Sequence, residues 1–305
     1  MCGHATIALG RFLVDTHDLA VFPRRDSLVF DPESWTTKLL LHAPCGIVEV
    51  TVPVLGSSGG SDPSRSVSFL SVPSFTTALD LPVSIAASDR WPELSGRCNV
   101  NVDIAYGGIF YALVSASELG FTSGLRPETS ALDIDAMSRA TATLKMAITR
   151  SARLKERVVH PAHEDLSYLY SVMVVDDGLG LQVRGTKWVE TGLCFFADQQ
   201  VDRSPTGSCV AARIAAAYAR RKLEKDDAWT YHSVVSNGFR GEGGFVGRVE
   251  AVVPVSGIGE GVDEGVVVRT EGKAWYTGAS TFMVEKGDKL GNLGFNLREL
   301  VSGKS

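Results

Sequence analysis

The sequence begins Met1-Cys2-Gly3-His4-Ala5-Thr6-Ile7-Ala8-Leu9-Gly10, and a comparable arrangement recurs at Thr206-Gly207-Ser208-Cys209. At each place a small side chain with a thiol or hydroxyl group precedes a glycine at the start of a predicted helix. The first N–H groups of a helix have no partner within it, and together with the helix dipole they attract anions. Glycine also lets a ligand carboxylate approach the backbone closely. Both stretches are therefore candidate carboxylate sites.

Two helix N-termini that face each other across a cleft predict a specific chemistry. One substrate carboxylate would be held by both, with Cys2 and Thr206 on opposite faces of the adjacent carbon. The helix dipoles would stabilise the enolate-like charge that forms when that carbon loses its proton. A thiolate, which a helix N-terminus favours, is able to act as the base without a metal or a pyridoxal cofactor. Taken alone, the two patterns also fit a structural cysteine and a threonine that forms a turn or an N-cap.

The composition is typical of a globular protein with a hydrophobic core. The chain has 305 residues, of which 44% are hydrophobic, and a formal net charge of −5. Mild acidity with no Lys/Arg cluster argues against a nucleic-acid partner. No apolar run approaches the roughly 18 residues of a membrane span. No secretory signal follows Met1, so a cytoplasmic protein with reduced cysteines and no membrane partner is expected.

Short strand patterns dominate the chain, and three helical patterns lie among them. The predicted helices cover residues 6–14, 132–149 and 208–223. The predicted strands cover residues 37–41, 46–55, 65–72, 99–105, 171–175, 229–235 and 246–255. A few long helices in a strand-rich chain favour an α+β fold of two lobes, each with a sheet around one helix.

Three longer motifs resemble the proline racemase family, whose members share the diaminopimelate-epimerase-like fold. The first is the opening decapeptide. The others are Asp103-Ile104-Ala105-Tyr106-Gly107-Gly108-Ile109-Phe110-Tyr111-Ala112 and Val201-Asp202-Arg203-Ser204-Pro205-Thr206-Gly207-Ser208. Shorter matches are Val72-Pro73-Ser74-Phe75 and Gly238-Phe239. The motifs occur in the family's order and span nearly the whole chain.

The resemblance implies two pseudo-symmetric lobes with the active site in the cleft between them. The first lobe would consist of residues 1–100 plus 275–305, and the second of residues 101–274. The resemblance also implies a site whose catalytic residues are Cys2 and Thr206. The implied substrate-binding residues are Gly3, His4, Asp202, Gly207 and Ser208.

The resemblance also implies a role for the residues that bind the substrate. The backbone N–H groups of the two helix N-termini would hold the substrate carboxylate. Asp202 would bind the ring ammonium by a charge-assisted hydrogen bond, helped by the His4 side chain. Phe195 or Phe196 is expected to close the pocket. No cofactor and no metal are implied, the partner is a small amino-acid substrate, and a homodimer is a family expectation.

The residue at the position of Thr206 distinguishes two kinds of family member by their reaction. Its racemases and epimerases carry a cysteine at both helix N-termini, because inversion needs an acid on the face opposite the base. Thr206 is too weak an acid to replace that thiol. The Cys2/Thr206 combination resembles the members that dehydrate trans-3-hydroxy-L-proline, which implies a hydro-lyase whose thiol removes the Cα proton. A proline or hydroxyproline racemase or epimerase is the alternative, and Cys209, three residues after Thr206, is a weaker candidate for the second acid.

One departure from the family pattern concerns the start of the chain. Family members carry a strand-forming stretch before the cysteine motif, and nothing in this sequence corresponds to it. We expect unpaired sheet edges and an exposed apolar face on the first helix as a result. Two explanations stay open: a start site assigned to an internal methionine, or a shortened and catalytically inactive family member.

Overall fold

The computed structural model describes residues 2–56, 59–126, 133–257 and 263–288. The helices are α1 (Gly3–Asp15), α2 (Ile134–Arg150), α3 (Ala152–Lys155), α4 (Gly207–Ala219) and α5 (Val234–Gly238). The strands are β1 (Phe30–Asp31), β2 (Thr36–Ala43), β3 (Gly46–Leu55), β4 (Gly60–Ser61), β5 (Val67–Leu70), β6 (Phe75–Ser84), β7 (Asn99–Tyr106), β8 (Phe110–Ser115), β9 (Leu169–Asp177), β10 (Trp188–Phe196), β11 (Gln200–Val201), β12 (Ala228–Ser233), β13 (Phe245–Pro254) and β14 (Glu264–Gly272).

The strands form one continuous hydrogen-bonded path in the order β1-β2-β3-β5-β14-β13-β12-β10-β9-β8-β7-β6, with β4 beside β3 and β11 beside β10. Two neighbouring pairs on this path are parallel, β8 with β9 and β10 with β12. Parallel neighbours need a crossover connection. The first crossover contains α2 and the second contains α4, so the sheet itself fixes where α4 begins.

Two helices lie against different parts of this sheet. α1 packs against β3, β4, β5 and β14, whereas α4 packs against β6, β7, β8, β13 and β14. On α1, Gly10 allows a close approach to β3, because a Cβ atom there would lie 2.7 Å from Val50 Cγ1. Every residue of α4 from Gly207 to Ala217 is buried, which is typical of an alanine-rich helix that is apolar on all sides.

The predicted α+β class is confirmed, and the three predicted helices correspond to α1, α2 and α4. Residue 132, the first of the second predicted helix, lies outside the described residues. All seven predicted strands are present, whereas the longer strands β6, β8, β10 and β14 and the two-residue strands β1, β4 and β11 were not predicted. On α1, Leu9 and Phe12 are exposed, at 45% and 39%. The predicted lobe boundaries stay a prediction.

The unpredicted strand β10 contains a buried ion pair. Its Glu190 carboxylate accepts a hydrogen bond from Arg213 Nε on α4, and both side chains are buried. A glutamate side chain is rarely buried unless it has a charged partner, so Glu190 argues against a buried strand at this position. That partner comes from a distant helix, so the local sequence gives no sign of it.

Residues 2–274 form one compact unit, and the second unit begins at Trp275. In the second unit, residues 275–288 form neither helix nor strand, and Phe282 and Met283 are highly exposed. Among all described residues, no helix combines the length and the apolar character that crossing a lipid bilayer requires.

Candidate active site at two helix N-termini

The N-termini of α1 and α4 meet at two glycines. A Cβ atom built on Gly3 would lie 2.6 Å from the Cα atom of Gly207, and one built on Gly207 would lie 2.8 Å from the Cα atom of Gly3. The ring of Phe69 on β5 closes the contact, with its Cζ atom 3.0 and 3.2 Å from these two Cβ positions. Any side chain at either position would force the two helices apart.

The backbone hydrogen bonds of both helices begin just inside this junction. In α1 the first helical bond runs from Thr6 N–H to the Cys2 carbonyl over 2.9 Å. In α4 it runs from Val210 N–H to the Thr206 carbonyl over 2.8 Å. The three N–H groups that precede each bond, at residues 3–5 and 207–209, are the ones that helix geometry leaves for an outside partner. The junction therefore gathers two sets of anion-binding donors and two positive dipole ends.

Thr206 precedes α4 in a left-handed conformation, with φ 60° and ψ 83°. A β-branched residue rarely adopts this conformation, which costs about 1–2 kcal/mol. Two hydrogen bonds hold it: Thr206 N–H donates to Ser204 Oγ over 3.1 Å, and Thr206 Oγ1 donates to Asp202 Oδ2 over 2.8 Å. Strain held in this way by neighbouring groups is typical of functional sites.

Asp202 organises the loop that leads into α4. Its Oδ1 atom accepts a hydrogen bond from Ser204 N–H over 2.8 Å, while Oδ2 accepts the one from the Thr206 hydroxyl. Its own N–H donates to the Cys194 carbonyl on β10 over 3.1 Å. The residue is only partly buried, so its carboxylate is both fixed in position and reachable.

The α4 side of the junction is buried and anchored. Ser208 Oγ and Tyr111 Oη lie 2.7 Å apart, and these side chains are 2% and 1% exposed. Gly107 lies beneath the same turn of α4, and a Cβ atom there would overlap the Ser208 carbonyl oxygen. The strand pair β7–β8 therefore fixes the position of the α4 N-terminus.

The α1 side of the junction is open to solvent. Cys2 and His4 are exposed, whereas Gly3 between them is buried. The His4 ring lies edge-on to Phe245 of β13, with a centroid distance of 6.0 Å. The thiol is thus accessible at the point where the two helices converge.

Two further thiols lie on the buried side, and both are unsuited to proton exchange with a substrate. Cys194 is 1% exposed, and burial raises the pKa of its thiol to about 11 despite hydrogen bonds with Ser171 and Thr206. Cys209 is fully buried, and burial together with the neighbouring Cys194 raises the pKa of its thiol well above the ordinary value. The structure therefore does not support Cys209 as the second acid.

Tyr170 is an aromatic residue beside the site that the sequence gave no reason to select. Burial, followed by the proximity of Cys194, Cys2 and Asp202, raises the pKa of its phenol. Its ring stacks on Phe196 at 6.4 Å. Phe196 is therefore connected to the site through Tyr170, whereas Phe195 is buried in the core.

The structure brings together the two helix N-termini that the sequence singled out and the Asp202 loop, whereas Phe195 lies in the core. Sequence reasoning missed Phe69, Tyr111, Cys194 and Tyr170. Tyr111 lies inside the motif 103–112, so the motif contained it without indicating a role. Phe69 and Tyr170 come from strands with no motif, and only the sheet order brings them near the junction.

A well-formed opening lies elsewhere. A cavity of about 750 Å³ is lined by residues such as Thr76, Tyr218 and Glu264, beside the C-terminal end of α4. It lies at the opposite end of α4 from Thr206. The candidate site therefore rests on the convergence of backbone donors and side chains rather than on a large cavity.

The chain is similar to known proteins over most of its length. A family model described as proline racemase matches residues 1–296. A trans-3-hydroxy-L-proline dehydratase from Homo sapiens is 36% identical over 294 residues, which cover 95% of this chain and 69% of the human protein. The enzyme of the same name from Colwellia psychrerythraea is 30% identical over 98% of this chain and 69% of its own length.

Two solved structures share the fold. A probable proline racemase from Agrobacterium radiobacter, with bound carbonate, superposes with a TM-score of 0.70 at 23% identity over 98% of this chain and 72% of that chain. A hydroxyproline epimerase from Agrobacterium vitis, with bound trans-4-hydroxy-L-proline, gives a TM-score of 0.66 at 22% identity over 91% of this chain and 66% of that chain. These likenesses establish the diaminopimelate-epimerase-like fold.

Proposed function

The chain belongs to the proline racemase family, and we propose that it is a hydro-lyase that converts trans-3-hydroxy-L-proline into a pyrroline-2-carboxylate and water. The observation that carries the proposal is the meeting of two helix N-termini at Gly3 and Gly207, with an exposed thiol at one and a threonine at the other. Relatives named as dehydratases of this amino acid support the choice of substrate.

Substrate binding begins with the carboxylate. The backbone N–H groups of Gly3 and His4 on one side, and of Gly207 and Ser208 on the other, form a cradle in which the two helix dipoles add. Both glycines leave room for a carboxylate to reach the backbone. The Asp202 carboxylate then takes the ring ammonium by a charge-assisted hydrogen bond, with His4 beside it.

Proton abstraction follows from this placement. With the carboxylate in the cradle, the Cα atom lies next to Cys2, whose thiolate takes the Cα proton. The negative charge that develops on the carboxylate as the enolate-like state forms is stabilised by the same N–H groups. The C3–O bond then breaks and leaves a carbon–carbon double bond. The protein groups on this route supply a base and an anion site, which is sufficient without a cofactor.

Position 206 favours elimination over inversion. A racemase must deliver a proton to the face opposite the base, and an alcohol is a far weaker acid than a thiol. Elimination needs no protonation at Cα, so one thiol is sufficient. Replacing Thr206 by cysteine is expected to reduce dehydration, because it introduces a second thiol in place of the hydroxyl that Asp202 binds.

The test uses the protein with trans-3-hydroxy-L-proline and, separately, with L-proline in deuterated water. Formation of pyrroline-2-carboxylate from the first and the absence of D-proline from the second support the proposal. Deuterium at Cα of D-proline recovered from the second incubation would overturn it in favour of racemisation. No reaction with either amino acid would favour a catalytically inactive family member.

A further inference from the structure

The Thr206 hydroxyl is hydrogen-bonded within the protein. It has a single hydrogen, which it donates to Asp202 Oδ2 over 2.8 Å. The Asp202 carboxylate only accepts, and its other oxygen is held by Ser204 N–H. The Cys194 thiol is a second hydrogen-bonding neighbour of this hydroxyl, so the single hydrogen of Thr206 is engaged by protein groups on the α4 side and is not free for a substrate.

The other groups on the α4 side do not supply an acid either. Ser208 and Tyr111 bind each other over 2.7 Å in a fully buried pair. Cys194 and Cys209 are buried, and burial raises the pKa of both thiols. The Tyr170 phenol beside Cys2 and Asp202 is a poor acid, because burial raises its pKa above the ordinary value. An acid is thus absent from these side chains, although the departing hydroxyl group needs a proton.

The stereochemistry of the proposed substrate locates that hydroxyl group. In trans-3-hydroxy-L-proline the 3-hydroxyl and the carboxylate lie on opposite faces of the ring. Cα carries the carboxylate and one hydrogen, so its hydrogen lies on the same face as the 3-hydroxyl. A base that reaches the Cα hydrogen therefore also faces the leaving group.

We infer that Cys2 makes both proton transfers, first as base and then as acid, in a syn elimination on one face of the ring. This inference rests on the proposed function. The thiolate takes the Cα proton, and the electron pair of the Cα–H bond becomes the Cα–C3 double bond. The C3–O bond breaks with its electron pair on oxygen. That oxygen receives the proton from the Cys2 thiol and leaves as water, which restores the thiolate.

Thr206 has a different part in this scheme. Its hydroxyl orients the Asp202 carboxylate by a hydrogen bond, and that carboxylate suits the N–H donors of the ring ammonium. Thr206 is then a binding residue on the face opposite the reaction. Its loss is expected to change KM more than kcat.

The test compares trans- and cis-3-hydroxy-L-proline, because the hydroxyl of the cis isomer lies on the Thr206 side. We expect the wild-type protein to dehydrate the trans isomer, while the cis isomer inhibits competitively and yields no pyrroline-2-carboxylate. Dehydration of the cis isomer at a rate equal to or above that of the trans isomer would overturn the inference and assign the acid to the α4 side.

A variant gives an independent result if the cis isomer does not bind. Thr206→Val keeps the shape and the β-branch, and Thr206→Ser keeps the hydroxyl as a folding control. For Thr206→Val with the trans isomer we expect KM to rise about tenfold and kcat to fall by less than that. A fall in kcat of about 10²-fold or more, as expected on losing a general acid, would contradict the inference. Failure of the wild-type protein to dehydrate either isomer would instead refute the proposed function itself.

Discussion

Gly3 and Gly207 lie in backbone contact, so that a methyl group on either residue would overlap the Cα atom of the other. Gly3 opens α1 near the start of the chain, and Gly207 opens α4 within the second parallel crossover of the sheet. Their contact makes one anion site out of two helix N-termini. Each prediction below perturbs this junction or the structure that holds it.

Gly207→Ala is expected to lower turnover by about 10²-fold while leaving most of the fold intact. The added Cβ atom would lie 2.8 Å from Gly3 Cα and 3.2 Å from Phe69 Cζ, so the helices must separate. A displacement of about 1 Å in a catalytic constellation costs on the order of 10²-fold in rate. Steady-state kinetics and circular dichroism measure the two effects. Gly238→Ala is the matched control, because nothing lies within 4 Å of its Cβ position; equal losses in both variants would contradict the account.

Asp202→Asn is expected to weaken substrate binding. The variant keeps one acceptor oxygen for the two donors Ser204 N–H and Thr206 Oγ1, and it loses the negative charge that pairs with the ring ammonium. Hydrogen bonds to charged groups contribute about 1.5–3 kcal/mol, so KM should rise by about tenfold or more. Asp198→Asn, an exposed carboxylate on a neighbouring turn, is the control. An unchanged KM in Asp202→Asn would remove this residue from the binding site.

Tyr111→Phe is expected to destabilise the fold by leaving the buried Ser208 hydroxyl without its partner. An unsatisfied buried hydroxyl costs about 1–3 kcal/mol. Urea unfolding measures the loss, with the exposed Tyr168 as the site of a control Tyr→Phe substitution. Combining Tyr111→Phe with Ser208→Ala should recover part of the lost stability, because both partners are then removed. A double variant less stable than the sum of the single changes would argue against a direct bond.

The pH dependence of stability should report the Glu250–Arg269 pair between β13 and β14. Arg269 Nε and Nη2 donate to the two Glu250 oxygens over 2.8 and 2.9 Å. This hydrogen bonding lowers the pKa of Glu250 from its ordinary value of 4.5. A lowered carboxylate pKa adds stability above the ordinary value, and that stability disappears as the pH falls through the lowered one.

Glu250→Gln is therefore expected to lower the free energy of unfolding at pH 7 by about 0.5 kcal/mol, a small value because the pair is partly exposed. The difference from the wild-type protein should shrink in acid. Glu242→Gln, at an exposed turn, is expected to show no such pH dependence. A constant difference for Glu250→Gln from neutral to acid pH would exclude the ion pair as its cause.

Much of this architecture follows from local sequence. α1, α2 and α4 follow from the spacing of their apolar residues. Residues 46–55 alternate clearly enough to predict β3 with its observed bounds. The strands that were missed lack such a pattern: β8 is buried on both faces and reads as a continuous apolar run, and β10 contains Glu190. Their pairing depends on α2 and α4, which local patterns do not reveal.

The candidate site likewise has parts that the sequence predicts and parts that only the structure shows. Cys2 and Thr206 stand out because each precedes a glycine at a helix N-terminus, and the family motifs identify Asp202. The hydrogen bond from Thr206 to Asp202, and its consequence for the direction of the hydroxyl, depend on the left-handed conformation of Thr206. Position alone does not predict that conformation for a β-branched residue. Tyr170 reaches the site only because the sheet places β9 beside β8 and β10.

The most direct test of the account is the dehydration rate of Cys2→Ser with trans-3-hydroxy-L-proline, measured beside Cys98→Ser. Both cysteines are exposed and free, but only Cys2 lies at the helix junction. The account predicts a loss of about 10²-fold or more for Cys2→Ser, because the base is removed, and a wild-type rate for Cys98→Ser. A rate of pyrroline-2-carboxylate formation by Cys2→Ser equal to that of the wild-type protein would contradict it.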